Sequence, residues 1–242
     1  TKDRPAFLTR LLAYYASTGF RYRILVGDSS LPEEAERNQQ TVARLNDRLN
    51  LEYLAYPGLS SCAAMEQMSQ AISSPYCTYI ADDDFLCPRG IDRCLEFLER
   101  HPEYGAAHGR GLIFQTEQGG PYGAFGNVWR YPQAVLEADT AVKRLVGFFT
   151  SGPHAILQSV HRIQTWRAMF QHIGRMEGIE NKNIFKDELI PASVAAIRGR
   201  VKELDGLYLV RHAHEAIRKH PAAYDWIPSP EWFPSYQVFR RR

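Results

Sequence analysis

Asp82, Asp83 and Asp84 follow one another at the end of a short apolar run, Tyr76-Cys77-Thr78-Tyr79-Ile80-Ala81, and Phe85-Leu86 close the other side. Three adjacent carboxylates leaving a buried segment repel one another, and burial makes each charge costlier. A cation or ligand that neutralises them removes that cost. Carboxylate oxygens suit Mg2+ or Mn2+, and such ions are commonly completed by substrate phosphates. The triplet therefore reads as a platform for a divalent ion that grips a phosphorylated substrate. A solvated turn accounts for one or two aspartates, less readily for three between apolar neighbours.

Other groups carry weaker signals. Asp187 and Glu188 lie near the start of an expected helix, where acidic residues complement the dipole. His212 and His214 share a face if the strand before them continues, so either could complete a metal site. Two surface histidines are the simpler reading in a chain that has eight. Lys2, Arg4, Arg211 and Arg218 could meet diphosphate oxygens, or simply be solvated. Trp226 and Trp232, in a Pro-rich end, are candidate platforms for a sugar ring, whereas Trp166 keeps helical spacing with Ile163 and Phe170 and reads as core. Ser151-Gly152-Pro153 reads as a turn.

Alternating elements must position these residues. Phe7, Leu8, Leu11, Leu12 and Tyr15 recur at helical spacing after Pro5, with Asp3 as a candidate cap and Gly19 as the stop. Strands are expected over 22–26, 51–55 and 76–81, with helices over 32–49, 60–72 and 88–100. Short apolar strands alternating with helices predict an α/β fold with a parallel sheet covered on both faces. In such sheets ligands bind beyond the carboxyl ends of the strands. Asp28 and the aspartate triplet both stand there. Beyond residue 106 a hairpin is expected over 109–129, helices over 138–149, 163–173 and 183–197, and strands over 155–160 and 201–210. The region from 224 onward reads as a lid or tail.

The chain has 242 residues and a net charge of +2, too near neutral to argue for nucleic acid. Cys62, Cys77, Cys87 and Cys94 have no metal-binding spacing and read as free thiols of a reducing compartment, which points to the cytoplasm. No membrane-length apolar run is present. An α/β domain normally has a strand before a loop like Thr1 to Pro5, so upstream residues are expected.

Three segments fall in one order: Thr1-Lys2-Asp3-Arg4-Pro5-Ala6-Phe7-Leu8, Val26-Gly27-Asp28-Ser29-Ser30, and Tyr79-Ile80-Ala81-Asp82-Asp83-Asp84-Phe85. Together they resemble the nucleotide-sugar half of GT-A glycosyltransferases, especially family 2, over about the first hundred residues. The resemblance implies a GT-A, Rossmann-like sheet with helices on both faces and a smaller acceptor-side region. It divides the chain into a nucleotide-sugar half at 1–108, an acceptor and base half at 109–223, and a tail or lid at 224–242. Thr1, Lys2, Asp3, Arg4 and Asp28 would frame the nucleotide base. Asp82 would approach the ribose, with Asp83 beside it. Asp84 would ligate Mn2+ or Mg2+, with His212 or His214 as a further ligand. Asp187 would deprotonate the acceptor hydroxyl, or Glu188 if the alignment shifts by one. Leu59-Ser60-Ser61-Cys62-Ala63 departs from the Asn- and Gly-rich loop of many relatives.

The activity implied is transfer of a sugar from a nucleoside diphosphate donor, by default UDP, to a hydroxyl of a glycan, lipid-linked or protein acceptor, with inversion. Two alternatives remain. A sugar-phosphate nucleotidyltransferase would carry a Gly-rich phosphate loop after its first strand, and none is visible. A catalytically silent domain would bind nucleotide-sugar or glycan without turnover.

Overall fold

The computed structural model describes residues 1–150, 156–179, 184–214 and 223–241. Ser151-Gly152-Pro153 and Arg218 lie outside the described residues, as do the starts of the strand expected from 155 and the helix expected from 183.

The first half follows its local signals. Helix α1 (Pro5–Ser17) has proline in its first turn and buries Leu8, Leu11, Leu12 and Tyr15. Its stop is Gly19, at φ +65°, with the Phe20 N–H donating back to the Tyr15 carbonyl. Asp3 is not the cap. It sits at φ 54° and accepts from the Leu31 N–H at 2.7 Å, tying the first loop to the loop after the first strand. Strand β1 (Ile24–Asp28), helix α2 (Pro32–Leu45), strand β2 (Leu51–Ala55) and helix α3 (Ser61–Ala71) follow. The Ser60 side chain caps α3 by accepting from Ala63 N–H. Strands β1 and β2 pair in parallel from Ile24 beside Leu51 to Asp28 beside Ala55. A Cβ on Gly27 would stand 2.2 Å from the Met68 sulfur, so glycine lets α3 press onto β1 just before Asp28.

The expected strand at 76–81 is cut short. Only β3 (Tyr76–Cys77) pairs, with β7 (Val160–Arg162). The Thr78 hydroxyl then donates to the Gln158 carbonyl at 2.9 Å, so a side chain takes over from the ladder. Ala81 to Asp84 turns, closed by the Asp84 N–H on the Ala81 carbonyl at 3.1 Å. A short strand β4 (Phe85–Leu86) leads into α4 (Pro88–Arg100), which buries Ile91, Cys94 and Leu98.

The second sheet is mixed rather than parallel. It has the order β3-β7-β5-β8-β4, with β6 (Phe125–Tyr131) pairing β5 (Tyr104–Thr116) as the expected hairpin. Strands β5 and β8 (Arg200–Ala213) run parallel through its middle, with Phe114 beside His212. Strand β4 is antiparallel to β8, with Phe85 beside Val210. That register sets Asp84 beside Arg211. Strand β5 runs across the expected 108/109 division, so both halves share one sheet.

Helices α5 (Ala141–Thr150), α6 (Ile163–Phe170) and α7 (Ile190–Arg198) enclose a core with Phe148, Trp166, Met169, Phe170 and Phe185. Before α7 the chain makes a π-helical turn, Phe185–Leu189, in which the Ile190 N–H reaches back five residues to the Phe185 carbonyl. Pro191 explains it: proline has no N–H for the carbonyl of residue 187, and its ring crowds that carbonyl. Asp187 and Glu188 lie on this widened turn rather than at the start of a regular helix. Trp226, on the 3-10 turn Ala223–Trp226, is buried against Phe185 at 5.1 Å and stacks on Trp232 at 5.9 Å. It is a core residue, not a sugar platform, and α8 (Phe233–Arg240) follows it. All four cysteines are free thiols. No described helix is long and apolar enough to cross a membrane.

Candidate donor site

Asp28 closes β1, fully buried, with both carboxylate oxygens engaged. One accepts from the Ser30 N–H at 2.8 Å. The other accepts from the Asn38 amide and the Tyr53 hydroxyl, each at 2.7 Å. Burial alone would raise its pKa, but the donors from Ser30, Tyr53 and Asn38 outweigh burial and hold it below the ordinary value. Asp28, Ser30, Glu36, Gln39, Tyr53 and Pro57 line an open cavity of about 300 Å³. The sequence gives no hint of Tyr53 or Asn38, whose roles depend on β2 and α2 packing beside β1. Asp28→Ala leaves the Ser30 N–H without an acceptor and the Asn38 amide and Tyr53 hydroxyl with only longer ones, at 3.3 and 3.5 Å, and an unmatched buried group costs about 1–3 kcal/mol. Urea unfolding is expected to show a loss at the upper end of that range. An unchanged midpoint would mean that Asp28 is not the hub of this network.

The first loop binds this edge to the aspartate triplet. Thr1 lies alongside β1, its nitrogen donating to the Gly27 carbonyl at 2.8 Å and its carbonyl accepting from Ser29 N–H at 3.1 Å. The Asp3 N–H donates to the Ser30 hydroxyl at 2.7 Å. Lys2 is exposed. Arg4 spans the gap. One end of its guanidinium donates to Asp83 at 2.9 Å and the other pairs with Asp82.

Each of the three aspartates is held differently. Asp82 is buried, and burial outweighs Arg4 to raise its pKa. Burial also acts to raise Asp83, but Arg4 and His214 outweigh it and hold Asp83 low. The His214 Nε2 lies 2.8 Å from the same Asp83 oxygen that Arg4 contacts. Asp84 is 0% exposed. One of its oxygens accepts from the His212 N–H at 3.0 Å, the other from Arg211 Nε at 2.9 Å. Burial raises its pKa, and Arg211 only partly offsets that.

Arg10 and Tyr131 complete the cluster. Arg10 lies three residues after Phe7, hence on the same helix face, and its charge sits over the rings of Phe7 and Phe85. It donates to the Asp83 and Pro121 carbonyls, each at 2.6 Å, and to His212 Nδ1 at 3.1 Å. A guanidinium can only donate, so Nδ1 accepts and the His212 proton is on Nε2, 3.1 Å from the Thr116 hydroxyl. The ring lies flat on Phe114 at 4.6 Å. Burial first, then Arg10 and His214, push the His212 pKa down to about 4. A histidine lowered from 6.5 to about 4 stabilises the fold fully above its unfolded pKa, and loses roughly 3 kcal/mol as pH falls from there toward 4. His212→Asn is expected to flatten the fall in unfolding free energy over that interval. An unchanged fall would refute a buried neutral imidazole.

As placed, the expected ligands Asp84, His212 and His214 do not converge on a metal ion. Both oxygens of Asp84 and both ring nitrogens of His212 are engaged, and His214 is turned onto Asp83. Among the described residues no three of His, Cys, Asp and Glu converge to hold one.

Across from the triplet, half-buried Asp187 accepts from the Ser61 hydroxyl at the start of α3, at 2.8 Å. Glu188 is exposed. The field of Asp187 reaches Tyr79, as do those of Asp82, Asp83 and Asp84, and the field of Glu188 reaches Tyr131. The acidic pair and the triplet therefore border one region.

No protein-family model matches the chain, and no curated protein matches its sequence. Solved structures do match its fold. S. aureus TarS 1-349 in complex with UDP-GlcNAc superimposes with a TM-score of 0.61 at 14% identity, over 100% of this chain and 63% of that one. The same protein in complex with UDP gives 0.58 at 15% identity, over 98% and 61%. A longer TarS structure gives 0.56 at 14% identity, over 88% of this chain and 35% of that one. The chain thus spans about a third of the longer TarS chain and under two thirds of the shorter. The α/β fold is the GT-A fold expected from the sequence. At such identities the likeness concerns fold alone.

Proposed function

We propose that this chain transfers a sugar from a UDP-sugar donor to an acceptor hydroxyl. One observation carries the reading. The Thr1 to Arg4 loop joins Asp28, at the carboxyl end of β1, to the Asp82–Asp84 turn that precedes β4, beside an open cavity. Ligands of α/β sheets bind at such an edge. TarS, which shares the fold, has been solved with UDP-GlcNAc and with UDP.

In this reading the base enters the cavity beside Asp28 and Tyr53, and the ribose lies toward Asp82. The acceptor oxygen attacks the anomeric carbon as the bond to the diphosphate breaks. UDP leaves with that electron pair, and the acceptor proton passes to Asp187. A single displacement inverts the anomeric centre. Asp187 suits the role because Ser61 fixes its orientation on the region that the triplet borders. Stabilising the charge that grows on the departing diphosphate is the largest task left to the protein.

A thermal-shift panel of UDP, GDP, CDP and TDP with their sugar conjugates tests the donor. Stabilisation grows with ligand concentration over its dissociation constant. Saturable shifts are expected from UDP and at least one UDP-sugar. No shift from any of these compounds would remove the reading.

A further inference from the structure

Where the resemblance implies a divalent ion, the side chains hold arginines. We infer that Arg211 and Arg4 supply the positive charge that receives the diphosphate, and that nucleotide binding here does not require a metal. The inference rests on the donor reading above and deepens it.

A carboxylate that ligates a metal must aim an oxygen at open space, and Asp84 has none to face: Arg211 Nε and the His212 N–H each hold one of its oxygens, and its side chain is 1% exposed. The register of β4 against β8 imposes this, since Phe85 beside Val210 brings Asp84 to Arg211 through the backbone itself. The imidazole of His212 is spent on Arg10 and Thr116. Asp83 already serves Arg4 and His214 through one oxygen.

Charge balance points the same way. Asp82, Asp83 and Asp84 bring three negative charges, and Arg4, Arg10 and Arg211 bring three positive ones. Much of the charge by which the triplet would draw a dication is therefore already met by guanidiniums. A diphosphate, however, meets guanidiniums that are held in place but not sealed. The side chains of Arg211 and Arg4 are 32% and 33% exposed, while their partners Asp84 and Asp82 are 1% and 2% exposed. Arg211 is fixed at two atoms, by Asp84 at Nε and by the Tyr131 hydroxyl at 2.7 Å, and lies over the Tyr131 ring. A guanidinium locked in this way offers its remaining N–H groups in the fork that matches phosphate oxygens.

Calorimetric titration with UDP in excess EDTA, and again with Mn2+ or Mg2+, tests the inference. UDP is expected to bind in EDTA, with a dissociation constant within about threefold of the value with metal, since no contact to an ion is lost. Arg211→Lys keeps a cation for Asp84 but loses the fork. It is expected to weaken UDP by about tenfold or more, the loss of a charge-assisted hydrogen bond, while uridine, which has no phosphate, binds nearly as before. UDP binding that appears only with Mn2+ or Mg2+ would overturn the arginine assignment and leave the donor reading standing. UDP binding in neither condition would overturn both.

Discussion

Asp187→Asn is expected to lower kcat by about 10²- to 10⁴-fold, the contribution of a positioned general base. The change removes the proton acceptor but keeps the shape and the hydrogen bond from Ser61. The dissociation constant for the UDP-sugar should stay within about threefold, because the base touches the acceptor rather than the nucleotide. Turnover assays paired with donor titration separate these effects. If Asp187→Asn turns over normally and Glu188→Gln does not, the base is Glu188, the exposed neighbour whose field reaches Tyr131. If neither substitution affects turnover, the acidic pair has no part in the chemistry.

Asp84→Ala is expected to destabilise the protein with no ligand present, by about 3 kcal/mol. A carboxylate kept only to bind a metal is a burden in the metal-free fold, since it is buried and repelled by its neighbours. Its removal then stabilises the apoprotein or leaves it unchanged. Asp84 behaves oppositely here, because it satisfies the Arg211 guanidinium and the His212 N–H at once. Truncation leaves Arg211 Nε and the His212 N–H without an acceptor and Arg211 held by Tyr131 alone, so UDP affinity should fall as well. Denaturant unfolding in EDTA reads the first effect. A variant as stable as the parent would show that the Asp84 contacts carry no weight.

Local signals reached the framework. Pro5, the stripe from Phe7 to Tyr15 and Gly19 define α1, and Ser60 defines the start of α3, since each depends on residues within a turn or two. Asp28 was legible as a strand-end carboxylate and the triplet as an acidic cluster, though one that sits on a turn past the two-residue β3. Their partners were not. Asp84 meets Arg211 across 127 residues, and that pairing exists only because β8 inserts between β4 and β5. No spacing rule conveys strand order in a mixed sheet. The same ignorance makes the triplet look metal-binding: three carboxylates seem uncompensated until Arg4, Arg10 and Arg211 arrive from three other elements. Tyr76 to Ala81 failed as a strand for a smaller reason, the side-chain bond of Thr78 that replaces a ladder bond. Trp226 is apolar core because Phe185 and Trp232 close over it, and a Pro-rich composition could not reveal that.

The most direct test is a crystal structure of the chain soaked with UDP and EDTA. Density is expected for uracil in the cavity beside Asp28 and Tyr53, with the diphosphate against the outward edges of Arg4 and Arg211. A nucleotide bound anywhere else, or an edge left to water at saturating UDP, would contradict the assignment of this strand edge as a donor site.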